Sequence, residues 1–190
     1  EIIEFCASSK KFMPHFHVPL QSGSDKILGA MRRRYKRDLY VNRVTRIKQT
    51  IADACIGVDV IVGFPGETEK DFLDTYNFLN ELDISYLHVF TYSERPNTDA
   101  IEMGEIVSKK KRAERSKMLH ILSDKKRRFF HDKFIGQNRS VLFENMKNGK
   151  LLGHTDNYIQ VQMDGKLGNI NTIQSVKLTL NHGTVIEGEL

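Results

Sequence analysis

The stretch Ile56-Gly57-Val58-Asp59-Val60-Ile61-Val62-Gly63 decides the fold. It is β-branched and nearly continuous in its apolar character, and a strand apolar on both faces belongs in a parallel sheet covered by helices. Upstream, Phe16-His17-Val18-Pro19-Leu20 is a shorter run of the same kind within residues 12–22, and it ends in the turn signal Gln21-Ser22-Gly23-Ser24. Downstream, residues 84–92 form a third strand-like run. Helical patterns fill the gaps. Ser24 or Asp25 can cap a helix carrying Ile27, Leu28 and Met31, and Tyr40, Val44, Ile47 and Ile51 mark a second helix. Thr68-Glu69-Lys70-Asp71 begins a third like a capping box, with Phe72, Tyr76, Leu79 and Leu82 on one stripe. Strand–helix–strand–helix–strand order demands parallel pairing through crossover helices.

After Gly136 the period changes. Residues 139–190 alternate apolar and polar, with turn signals at Asn148-Gly149, Asp164-Gly165 and Asn181-His182-Gly183. About five short strands in so small a segment predict a small closed barrel. The expected organisation is therefore an α/β segment over 1–107, a basic connecting helix over 108–137 and a β-barrel over 138–190.

Charge separates these segments further. The chain of 190 residues carries a net charge of +5, yet residues 109–139 hold twelve Lys+Arg against three Asp+Glu, while the rest is slightly acidic. A block this concentrated suggests an anionic partner, most often nucleic acid, although a solvated helix face is the bland alternative. Within the helix, Met118, Leu119, Leu122, Phe129 and Phe130 gather on one side. Lys109, Lys110, Lys117, Arg127 and Arg128, with His120 and His131, gather roughly opposite and are the candidate phosphate contacts. In the barrel, Phe143, His154 and Tyr158 are candidate stacking surfaces for bases, against an ordinary core role.

Several classes drop out. The apolar runs are too short and interrupted for a membrane helix, and Glu1-Ile2-Ile3-Glu4 lacks the basic start of a signal peptide. Two cysteines, Cys6 and Cys55, make no disulfide scaffold and cannot alone hold zinc or an iron–sulfur cluster; a reducing interior is the default compartment. His15 and His17 have no Cys, His or carboxylate at metal-ligand spacing nearby, so they read as structural and no metal site is expected. The start at Glu1, in what reads as mid-helix, suggests a piece of a longer protein.

Three loops follow the three strands: Gln21–Ser24, Gly63–Glu67 and Thr91–Pro96. In parallel α/β architectures ligands bind beyond the carboxyl ends of the strands. Gln21, Ser22 and Ser24 offer groups suited to sugar hydroxyls, or simply a turn and a helix cap. Gly63 and Gly66 permit close backbone approach. One arginine of Arg32-Arg33-Arg34 could return to clamp a carboxylate. Asp59, inside an apolar strand, needs a partner or a polar cavity.

Taken in order, His17-Val18-Pro19-Leu20-Gln21-Ser22-Gly23-Ser24, Met31-Arg32-Arg33-Arg34-Tyr35 and Asp59-Val60-Ile61-Val62-Gly63-Phe64-Pro65-Gly66-Glu67-Thr68 resemble the second half of the radical S-adenosylmethionine domain of the methylthiotransferases. Val141-Leu142-Phe143-Glu144 with Gly153-His154-Thr155-Asp156-Asn157-Tyr158-Ile159 resembles their C-terminal TRAM domain. Within the family, residues 87–96 and the Gly-x-Thr-x-Asn-Tyr-Ile run look most like the members acting on threonylcarbamoyladenosine in tRNA. Sister enzymes act on isopentenyladenosine in tRNA or on a ribosomal protein, and a non-catalytic RNA-binding module is the reading from another class. The resemblance implies the second half of a partial (β/α) barrel followed by a small five-stranded antiparallel, OB-like TRAM barrel. It also implies S-adenosylmethionine and [4Fe–4S] clusters as cofactors, with tRNA as partner and a cytoplasmic location. The chemistry implied is sulfur insertion at C2 of adenine by way of a 5′-deoxyadenosyl radical, followed by methyl transfer.

By this resemblance Gln21, Ser22 and Ser24 meet the cofactor ribose, and Arg33 holds the methionine carboxylate. Ile61, Val62 and Gly63, with Phe90 and Tyr92, line the adenine, and Asp59 joins the same cofactor-binding set. The Cys-x-x-x-Cys-x-x-Cys motif that ligates the radical cluster in this family is absent from the chain. The cluster ligands are thus expected outside it, the chain alone is expected to be inactive, and the sulfur donor has no candidate.

Overall fold

The computed structural model describes residues 1–190, apart from the side chain of Leu167. The chain divides into two compact units, one of His17–Gln49 with Ile56–Ser123, the other of Glu1–Phe16, Thr50–Cys55 and Asp124–Leu190.

The first unit is built on the predicted parallel strands. β1 (His15–His17), β2 (Cys55–Val62) and β3 (Tyr86–Thr91) form a sheet in the order β1-β2-β3. β2 and β3 run parallel, with Gly57 opposite Tyr86, Asp59 opposite His88 and Ile61 opposite Phe90. Regular β1 is shorter than the 12–22 run because Pro19 has no N–H to donate. Pairing to β2 nevertheless continues, from the Val18 amide to the Gly57 carbonyl and from the Leu20 amide to that of Asp59, as far as a parallel bridge at Gln21 and Val60. The helices are α2 (Asp25–Ala30), α3 (Arg37–Thr50) and α4 (Glu69–Glu81), preceded in the chain by α1 (Ile2–Ser8). Val58, Val60 and Val62 are fully buried on one side of β2, while Asp59 and Ile61 on the other are half-buried. Both sides of this strand read as apolar, but only the helix-facing side is sealed core.

Polar contacts fix the loop after β1. Thr68 caps α4 in the predicted capping box with Asp71. The Asp71 carboxylate accepts from the Thr68 amide and hydroxyl, from Lys26 Nζ and from Ser24 Oγ. Burial pushes this carboxyl up, but those four donors outweigh it and hold the pKa at about 2. Gly23 lies against α4, where a Cβ would fall 2.7 Å from the Thr75 Cα.

The second unit centres on a closed five-stranded barrel in the order β4-β5-β6-β8-β7, antiparallel as expected except where β6 and β8 pair in parallel. Its strands are β4 (Asn138–Lys147), β5 (Lys150–Thr155), β6 (Gln160–Asp164), β7 (Thr172–Asn181) and β8 (Ile186–Glu189). Asn148 and Gly149, both at positive φ, make the two-residue β4–β5 hairpin turn that the sequence signalled. Val141, Phe143, Leu151, Val161, Val176, Leu178 and Ile186 fill the interior with no accessible surface.

The first unit also contains the short α5 (Asp99–Glu102), and the basic helix, α6 (Lys109–Asp132), belongs to it up to Ser123. The buried positions of α6 are Arg112, Arg115, Leu119, Leu122, Ser123, Phe130 and His131. This corrects the expected faces. Met118 and Phe129 are exposed, Phe129 lying under Lys133 Nζ, whereas His131 is buried and its pKa is lowered to about 4, first by burial and then by Arg127. Among the described residues no helix is long and apolar enough to cross a membrane.

Candidate functional site

Because the strands are parallel, their carboxyl ends share one edge of the sheet, and an open cleft of about 1250 Å³ lies there. Arg33, Ile61, Phe64, Phe90, Tyr92 and Arg95 are among its lining residues. Arg33 reaches it through the end of α2. Arg32 adopts the left-handed conformation (φ 57°), its amide donates to the Gly29 carbonyl, and the Arg33 amide donates to that of Leu28. This Schellman pattern turns the chain sharply at the position that usually takes glycine. Ile61 and Phe90, ladder partners on β2 and β3, supply an apolar floor, with Phe90 half exposed. Tyr92 packs edge-on against Phe64 at 5.5 Å, and its buried hydroxyl has no partner among the described residues.

The loops along this edge are braced from α6. Arg112 donates to the carbonyls of Val107 and Tyr92 and to the Glu94 carboxylate, and its guanidinium lies 5.2 Å from the Tyr92 ring centre. Its stem fills the space beside Gly63, where a Cβ would fall 2.4 Å from Arg112 Cγ, so the positive φ and the close approach both require glycine there. Arg115 donates to the fully buried Glu67 carboxylate at 2.6 Å, and that carboxylate also accepts from the Gly63 amide at 2.7 Å. Burial pushes the Glu67 carboxyl up, against the Gly63 amide and Arg115, which both favour its ionised form. Two cations of the basic block thus hold the pocket loops from behind rather than facing solvent.

The sequence-predicted residues separate into groups. Arg33, Ile61, Phe90 and Tyr92 come together in the cleft. Gln21 stands at the adjoining strand end with φ 75°, a conformation uncommon for a side chain of its size. Gly63 supplies the bend into its loop. Ser22 and Ser24 are buried, with hydroxyls engaged by Thr75 and the Ser24 amide, and by Asp71 and the Ile27 amide. In this structure their hydroxyls shape the loop at the strand end. The Val62 side chain is sealed on the helix side, so only its backbone faces the strand end. Asp59 lies one pleat deeper than Ile61, where its carboxylate meets His17 Nε2 at 2.9 Å, with His88 opposite in the ladder. That trio comes from three different strands, so no linear spacing could reveal it.

Of the candidate RNA contacts, Lys109, Lys110, Lys117 and Arg128 are exposed, and Arg127 pairs with Asp124. Tyr158 is half exposed, but His15 stacks on one face at 4.2 Å and His154 stacks on it at 4.8 Å. Its edge and hydroxyl, not its ring faces, are what it offers.

Comparison with known proteins adds a separate observation. Residues 1–79 match the model of the radical SAM superfamily. The threonylcarbamoyladenosine tRNA methylthiotransferases MtaB of Bacillus subtilis and Aquifex aeolicus are 36% and 41% identical over 94% and 87% of this chain. The chain is a relative of the radical SAM methylthiotransferases. The tRNA-2-methylthio-N(6)-dimethylallyladenosine synthase of Aliarcobacter butzleri is 34% identical over 100% of the chain. The chain spans 41%, 39% and 44% of the lengths of these three proteins, about two fifths.

The residues fit one of the family's two cofactors. An arginine, an apolar floor and an unpartnered buried phenol suit a molecule with a carboxylate and a flat heterocycle, as S-adenosylmethionine has. They do not fit an iron–sulfur cluster, which takes four cysteine thiolates, because the chain has only two cysteines, one half-buried on α1 and one buried on β2.

Proposed function

We propose that the chain contributes the C-terminal part of a tRNA methylthiotransferase that modifies C2 of N6-threonylcarbamoyladenosine. In this reading residues 1–107 are the second half of the radical SAM barrel, 108–137 a connecting helix and 138–190 the TRAM domain. The observation that carries it is the cleft at the carboxyl edge of the parallel strands, with Arg33 turned into it, in a chain whose relatives are tRNA methylthiotransferases. S-adenosylmethionine bound there, beside a [4Fe–4S] cluster ligated by residues outside this chain, supplies the radical and the methyl group. This chain's residues bind and orient. Arg33 holds the amino-acid carboxylate, Ile61 and Phe90 flank the adenine, the Tyr92 hydroxyl takes a polar edge, and Gln21 and Gly63 set the backbone that closes around it. Arg112 and Arg115 keep those loops in place. Exposed Lys109, Lys110 and Lys117, with Arg127 and Arg128, meet tRNA phosphates, and the location is the cytoplasm.

The dimethylallyladenosine substrate is the second reading, supported by relatives that match the full chain at similar identity. Mass spectrometry of tRNA nucleosides from cells lacking and then regaining the whole protein separates the two. Methylthiolated threonylcarbamoyladenosine is expected to vanish and return; only the dimethylallyl product doing so would select the alternative. Arg33→Ala in the whole protein is expected to weaken S-adenosylmethionine binding at least tenfold by equilibrium dialysis, with Arg34→Ala as control. Equal effects would remove Arg33 from the site.

A further inference from the structure

The polar layer beneath the cleft has a ligand set of its own. His17 on β1, Asp59 on β2 and His88 on β3 lie on the sheet side opposite the sealed valines, and each offers a donor atom within 4.8 Å of the other two. Ligands sharing an ion at bond lengths of about 2.0–2.2 Å stand roughly 3–4 Å apart, so small side-chain rotations bring all three into range. The backbone fixes their level, since Asp59 and His88 are ladder partners and the Leu20 amide ties β1 to the Asp59 carbonyl.

Two features go beyond a simple His–Asp hydrogen bond. Asp59 Oδ2 meets His17 Nε2 at 2.9 Å, but Oδ1 of the same carboxylate is buried without a partner among the described residues. The His88 ring stacks on that of His17, centroids 5.3 Å apart, which brings a second imidazole to a carboxylate that serves the first. The outer shell is shaped as well. The Tyr86 ring meets His88 edge-on at 5.1 Å, and it can lie there because Gly57 has no Cβ, which would fall 2.4 Å from the Tyr86 ring.

We infer that His17, Asp59 and His88 bind a divalent first-row transition-metal ion. Two imidazoles and one carboxylate form a set that zinc, cobalt or ferrous iron accepts, while magnesium and calcium prefer oxygen alone. On binding, the ion replaces the hydrogen bond between His17 and Asp59: His17 coordinates as a neutral imidazole with its N–H on the other ring nitrogen, and the carboxylate coordinates through oxygen. His17 and His88 remain solvent-accessible, so the ion enters freely and keeps open coordination positions. This inference does not rest on the methylthiotransferase reading, because its ligands are separate from Arg33, Phe90 and Tyr92.

Titration of the 190-residue chain with zinc chloride by calorimetry, and with cobalt(II) by visible absorption, tests it. One equivalent of each metal is expected, with d–d bands of a nitrogen/oxygen site for cobalt. His17→Ala, Asp59→Asn and His88→Ala should each weaken zinc at least about tenfold, while His120→Ala, on the exposed face of α6, should not. Circular dichroism checks that each variant is folded, and the exposed His88 keeps the test decisive if Asp59→Asn is not. No saturable binding, or equal loss in His120→Ala, overturns the inference.

Discussion

The barrel and the parallel sheet use the same period-two alternation to opposite ends. In the barrel the sheet closes on itself, so every inward position is cut off from water, and Val141, Phe143, Val161, Val176 and Leu178 occupy them. The three-stranded sheet does not close. Its helix-facing side is sealed by Val58, Val60 and Val62, but its other side carries Asp59, Ile61, His88 and Phe90 at intermediate or full exposure. An inward residue of the barrel therefore reports on stability, and a residue on the open side of the sheet reports on binding.

The largest expected effect tests that division directly. Phe143→Ala should cost about 3–5 kcal/mol, because a fully buried aromatic leaves a cavity that a closed barrel cannot collapse. Phe90→Ala, half exposed, should cost less than about 1 kcal/mol. Urea denaturation of both variants measures the gap, and equal losses would show that the open side is as much core as the barrel. Next comes Arg115→Ala, at about 3 kcal/mol, because it strands the buried Glu67 carboxylate. Glu67→Gln added to Arg115→Met should recover most of that loss; no recovery would mean that Arg115 stabilises through packing alone.

How far these features could be read in advance depends on how local their cause is. The capping box at Thr68–Asp71, the turn at Asn148-Gly149 and the apolar β2 are short-range patterns, and the structure contains each of them. The basic block was legible as charge but not as wiring. Arg112 and Arg115 find their carboxylates 18 and 48 residues away; their three- and four-residue spacing in series with buried Leu119 and Leu122 marks the inward face of the helix but not the partners they meet. The same limit applies to His17, Asp59 and His88, which only the strand register brings level. The serines are ambiguous for a different reason: a hydroxyl that can serve a ligand serves a turn or a cap equally well, and the sequence shows only that one is present.

The Asp71 network sharpens the comparison through pH. Its carboxyl falls from an ordinary value of 3.8 to about 2 in the fold, so its ionised form stabilises the protein. That stability is complete above the unfolded pKa near 3.8 and is lost as pH falls from there through 2. Nearly two pKa units correspond to about 2 kcal/mol for this buried group. Asp71→Asn should remove about that much of the difference between pH 7 and pH 2 stability, read by chemical denaturation. An undiminished difference would place the acid sensitivity elsewhere.

The smallest effect is the one that bears on the barrel's use. The run Gly153-His154-Thr155-Asp156-Asn157-Tyr158-Ile159 is a turn held from within. Gly153 leaves no room for a Cβ beside the Leu142 carbonyl, Thr155 Oγ1 bonds Asn157 and the Ile159 amide, and Asp156 receives Arg139. Tyr158, at φ 66°, is presented by that turn between His15 and His154. Stacking of this kind contributes about 1 kcal/mol, so Tyr158→Ala should lower stability by roughly that amount. A nucleotide base stacked on the ring would contribute about 1–3 kcal/mol of affinity, but it needs a face that the histidines already occupy. Tyr158→Ala should then change tRNA affinity less than twofold, while Lys109, Lys110 and Lys117 changed together to Glu should lower both the affinity and the salt slope in a filter-binding series. A large loss with Tyr158→Ala and an unchanged salt slope in the lysine variant would reverse the roles given to barrel and helix, with recognition residing in an aromatic edge instead of a line of charge.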